Sequence, residues 1–132
     1  MIFSVGVDLI EVERIQNALD DPATGKRFRD RVFTAREIQY CEKKKSHGRY
    51  ESYAGRFAAK EAVMKALGRG WGAQVCWLDI EVARAHSGKP DIVLHDKTAR
   101  LADNLGIRCW SLSMTHTREH GLAYVIAHSE KG

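Results

Sequence analysis

Apolar positions recur along this chain with two periods, and the period changes from segment to segment. Ile2 to Val7 is short, apolar and rich in β-branched residues, which predicts a mostly buried strand with Asp8 at its end. Val12, Ile15 and Leu19 then fall at helical spacing and predict a helix over about Glu11 to Leu19, broken by Asp20-Asp21-Pro22. Lys26 to Phe33 interleaves basic residues with Phe28, Val32 and Phe33 and predicts a short helix. Thr34-Ala35-Arg36-Glu37 has the spacing of a capping box and opens another through about Lys44, while the polar run Lys43 to Tyr50 predicts a loop. Arg56 to Leu67 is dense in strong helix formers and stops at Gly68-Arg69-Gly70.

The second half alternates instead. Leu78 to Ala83 and Asp91 to Leu94 read as strands joined at the turn Ser87-Gly88-Lys89-Pro90. Lys97 to Leu105 predicts a helix stopped by Gly106, and Arg108 to His116 a strand. Arg118 to Gly121 turns the chain into a last strand, Leu122 to Ala127. The order predicts an α+β fold, an antiparallel sheet with helices packed on one side, in a single domain over residues 1–132.

Composition narrows the class. With 44% hydrophobic and 29% charged residues and two prolines, neither disorder nor a fibrous repeat is indicated. The net charge of +4 favours phosphates or an acidic partner. Cys41, Cys76 and Cys109 are scattered without CxxC spacing, which argues against a disulfide framework or zinc site and fits a reducing cytosol. The first eight residues lack a basic n-region, and no run approaches membrane-spanning length, so a cytoplasmic protein is expected.

Within Arg56 to Gly68, Glu61 and Lys65 stand four residues apart, on one side of the helix and among apolar neighbours. Spacing alone makes them an ordinary helix salt bridge. A charged pair in an apolar stripe nevertheless costs free energy unless it holds something. Asp8 supplies a second carboxylate, and two carboxylates with room for water and phosphate suit magnesium. Lys60, Lys65 and Arg56 are the nearby cations, so the set has the composition of a phosphoryl-transfer site. A nucleic-acid module fits less well, because the basic residues do not cluster with aromatics on one predicted strand face.

Gly6-Val7-Asp8-Leu9-Ile10-Glu11-Val12-Glu13-Arg14-Ile15 resembles the first signature of the bacterial holo-acyl carrier protein synthases, and Phe57 to Ala66 resembles their second. The likeness continues through Ser87-Gly88-Lys89-Pro90 and Ser111 to Thr117, covering nearly the whole chain and matching the small single-domain branch. The resemblance implies the 4′-phosphopantetheinyl transferase fold. The activity it implies is transfer of phosphopantetheine from coenzyme A to a serine of apo-acyl carrier protein, releasing adenosine 3′,5′-bisphosphate in support of fatty acid biosynthesis. It implies Asp8 and Glu61 as magnesium ligands and Lys65 as a phosphate contact; a metal-bound water, Glu61 or Lys65 could each take the serine proton. Arg56, Lys60, Gly88, Lys89, Pro90 and His116 are its further coenzyme A contacts, and Arg14, Arg27 and Phe28 the docking surface for the acidic carrier. It also implies a homotrimer with sites between protomers.

Overall fold

A computed structural model describes residues 1–129, so the single-domain expectation extends over residues 130–132, which lie outside the described ones. The elements run β1 (Ile2–Glu11), α1 (Val12–Asp20), α2 (Gly25–Val32), α3 (Ala35–Glu42), α4 (His47–Leu67), a 3-10 turn (Trp77–Asp79), β2 (Ile80–Arg84), β3 (Pro90–Leu94), α5 (Asp96–Asn104), β4 (Cys109–His116) and β5 (His120–His128). Pairing is antiparallel throughout but divided: β1-β5-β4 form one sheet and the β2-β3 hairpin another.

The long helix α4 organises the molecule. It lies across the inner face of the three-stranded sheet and is buried on almost every side from Tyr53 to Leu67. Its alanines, Ala58, Ala59, Ala62 and Ala66, let neighbouring backbones approach. The approach is closest at Gly6 of β1, where a Cβ atom would collide with the Ala62 carbonyl oxygen. Gly121 of β5 is close in a milder way, its notional Cβ 3.3 Å from the Ala54 carbonyl carbon. Ser4 Oγ donates to the Ala66 carbonyl at 2.6 Å and fixes the helix lengthwise on the strand. Gly68, with φ 74°, closes α4 by donating to the carbonyls of Met64 and Lys65.

Three expectations are corrected. Asp8 lies within β1, not at its end, opposite Ala123. The inward side of β1 is Ser4, Gly6, Asp8 and Ile10, so Ile2, Phe3, Val5, Val7 and Leu9 are exposed where a mostly buried strand was expected. The helix expected from Arg56 begins at His47, taking in much of the polar run read as a loop. The capping box at Thr34 and Glu37 is present with both of its hydrogen bonds.

Candidate active site

β1 and α4 bring Asp8, Glu61 and Lys65 together. Asp8 points inward from its strand, and one turn of α4 sets Glu61 and Lys65 over it. The Lys65 ammonium donates to Asp8 Oδ1 at 3.2 Å and to the Val7 carbonyl at 3.1 Å. Glu61 is half-buried and Lys65 exposed, so this is the open side of an otherwise buried helix end. Burial first, and then the charge of Asp8, push the Glu61 carboxyl above its ordinary range, opposed by Lys65 and Arg14. A Glu61 carboxylate whose ionisation is opposed by burial and by the charge of Asp8 fits a divalent cation held between the two. Among the described residues no group of three or more His, Cys, Asp or Glu side chains could hold a metal. A cation on Asp8 and Glu61 would therefore draw the rest of its shell from water and substrate oxygens, as magnesium does. A cleft of about 300 Å³ opens beside the pair, lined by Glu61, Lys65, Arg69 and Trp71.

A second cleft, of about 400 Å³, lies where α3, α4, β2, β3 and β4 meet. Arg56, Pro90 and His116 line it together with Tyr40, Lys44, Glu51, Arg84 and Met114. Arg56 is only 3% exposed, and its Nε and Nη2 atoms are buried without a hydrogen-bond partner among the described residues. Its Nη1 donates to the Ser52 carbonyl at 3.3 Å. The guanidinium carbons of Arg56 and Arg84 sit 4.1 and 4.7 Å from the centroid of the Tyr40 ring, and Lys44 Nζ 5.2 Å from it. His116 Nδ1 stands 3.8 Å from Glu51 Oε2. Tyr40, Lys44 and Arg84 carry no mark in the sequence, since they lie on separate segments that only tertiary packing unites.

The other expected site residues divide. Lys60 is corrected outright: it is fully buried, 2.8 Å from Glu37 Oε1, and donates to the carbonyls of Trp77 and Ile80. Glu37 is itself 1% exposed and accepts from the Val82 amide at 2.9 Å, so the pair joins α3, α4 and β2 beneath the surface. Gly88 (φ 84°) makes the turn between β2 and β3, leaving Lys89 exposed and Pro90 at the second cleft. Arg14 and Arg27 are exposed on α1 and α2, whereas the Phe28 ring packs 6.2 and 6.3 Å from those of Phe33 and Phe57. Phe28 is partly buried against the core, and the two arginines are the exposed members of that surface.

Residues 4–125 match the 4′-phosphopantetheinyl transferase superfamily. The chain belongs to this family. A holo-[acyl-carrier-protein] synthase of Solibacter usitatus is 48% identical over 126 residues, 96% of this chain and 98% of that one. Among solved structures, the Bacillus anthracis holo-(acyl-carrier-protein) synthase in complex with CoA (3',5'-ADP) superposes with a TM-score of 0.80 at 35% identity, covering 98% of this chain and 99% of that one. The Neisseria meningitidis synthase gives a TM-score of 0.85 at 30% identity over 97% and 99%. The phosphopantetheinyl transferase fold, α+β with antiparallel strands, is thus the fold of this chain, and among its described residues no helix is long and apolar enough to cross a membrane.

Proposed function

We propose that this transferase moves 4′-phosphopantetheine from coenzyme A to a serine of apo-acyl carrier protein with magnesium, releasing adenosine 3′,5′-bisphosphate, in the cytoplasm and in the service of fatty acid biosynthesis. The observation that carries the reading is the half-buried carboxylate pair of Asp8 and Glu61 with the Lys65 ammonium held beside it. Bound there by the two carboxylates, magnesium would neutralise the charge that builds on the pyrophosphate as its anhydride bond gives way to the serine phosphodiester. Lys65 stands on the open side, free to leave Asp8 for a phosphate oxygen, where its charge matters most. In the exchange the serine oxygen bonds to the phosphorus bearing pantetheine, the bond from that phosphorus to the bridging oxygen breaks, and the serine proton leaves to a base.

The nucleotide end suits the second cleft. An arginine buried with two unpaired N–H groups calls for an anion, and Arg56, Arg84, Lys44 and His116 together suit the 3′-phosphate of coenzyme A. Pro90 would flank the adenosine. Exposed Arg14 and Arg27 give an acidic carrier a complementary approach.

A homotrimer with sites between protomers draws support from β1 and β5. Val5, Val7, Leu9 and Tyr124 form an apolar outward face of the kind that soluble proteins cover with another chain. Intact-mass analysis of apo-acyl carrier protein incubated with the enzyme and coenzyme A tests the reaction. A gain of one phosphopantetheine that requires magnesium and vanishes with chelator is expected. Neither gain nor coenzyme A binding would overturn the reading.

A further inference from the structure

The second cleft gathers like charges: Lys44, Arg56 and Arg84 line it, with the His116 ring, against one carboxylate among the described residues, Glu51. Cations are ordinarily kept close by acids, but an acid beside Arg56 would occupy the N–H groups that a ligand needs. The face of an aromatic ring attracts a guanidinium without accepting its N–H donors in the plane. Tyr40 supplies that face. It stands on α3, Arg56 on α4 and Arg84 on β2, so one ring gathers charges from two other elements. Arg56 keeps Nε and Nη2 free of any acceptor among the described residues even though the group is buried.

We propose that Tyr40 is a positioning residue for anion recognition: its ring holds the guanidinium groups of Arg56 and Arg84 poised for the phosphate bound farthest from the carboxylate pair. This rests on the coenzyme A reading above and adds to it a residue that acts through the two arginines it holds. The arginines are preorganised before the ligand arrives, so less rotamer freedom is lost on binding.

The test compares Tyr40→Leu and Tyr40→Phe with the unaltered enzyme, titrating each calorimetrically with coenzyme A and with 3′-dephospho-coenzyme A. Removing the ring should weaken coenzyme A about fivefold to tenfold, the range of a partly desolvated cation–π contact. The dephospho compound, lacking the anion, should change by less than about twofold, and Tyr40→Phe, which keeps the ring, should restore coenzyme A affinity. Equal losses for the two ligands, or no loss, would overturn the role of Tyr40 while leaving the coenzyme A reading intact. If the unaltered enzyme binds neither ligand, the coenzyme A reading fails and this inference with it. Should Tyr40→Leu fail to fold, Tyr40→Met provides the same comparison with an unbranched apolar side chain.

Discussion

Protonation and cation binding oppose each other at Glu61, and the opposition can be read from the outside. Burial and the nearby charge of Asp8 hold its carboxyl above the ordinary value of 4.5. A carboxyl whose pKa is raised by folding contributes stability that is complete below its unfolded value and is lost as pH rises through the folded one. Without a divalent cation, therefore, ionising Glu61 lowers stability; with one, the ionised form is the one that binds. Thermal unfolding in magnesium and in chelator should give curves that coincide at acid pH and separate as Glu61 ionises, magnesium lying higher. Curves parallel across the range would remove Glu61 from the cation site. Glu61→Gln should abolish the separation and cut transfer by about 10²-fold or more while leaving the fold intact, as circular dichroism and single-turnover assays would record.

Among the elements, the contact between β1 and α4 sets how close Asp8 comes to Glu61. Gly6→Ala drives a methyl group into the Ala62 carbonyl, and the backbone of two regular elements must yield. A loss of about 1–3 kcal/mol in denaturant unfolding is expected, with activity falling further than stability because the carboxylates part. Unchanged activity would mean that the site tolerates a wider gap. Lys60→Met leaves the buried Glu37 without its ammonium partner and should cost about 3–5 kcal/mol, with part recovered when Glu37→Gln is added; no recovery would show that Lys60 acts through its carbonyl contacts instead. Much of this was legible beforehand. Periodicity located α1, α5, β4 and β5 within a few residues, and the two signatures singled out Asp8, Glu61 and Lys65. What misled was β1, whose apolar side chains suggest burial. Its inward face is Ser4, Gly6 and Asp8 because α4 leaves little room for larger side chains, so the apolar residues fall outward. The start of α4 was hidden because His47, Gly48 and Arg49 carry no apolar period. The charge of Lys60 and the family resemblance suggest a phosphate contact, and neither shows that Glu37 and two carbonyls hold it in the core. Tyr40 could not have been found, since its partners sit sixteen and forty-four residues away.

For the whole molecule, the proposed assembly rests on the outward face of the three-stranded sheet. Val7 is 47% and Leu9 63% exposed in the isolated chain, on the edge strand β1 of that face. Val7→Lys should shift the protein to a smaller species in sedimentation velocity without unfolding the chain, and transfer should fall with it if the site spans two protomers. An unchanged sedimentation coefficient would place the assembly surface elsewhere. The Lys60 amine is sealed at the opposite extreme, with no accessible surface and every polar contact internal. An amine-reactive reagent reaches it only when α4 separates from β2 and α3, which is close to complete opening of the core. Under such a reagent the other lysines modify at the pace of their own surface chemistry. Lys60 modifies at the pace of global opening, so peptide mass analysis of that one site gives the protein a built-in clock for its own unfolding.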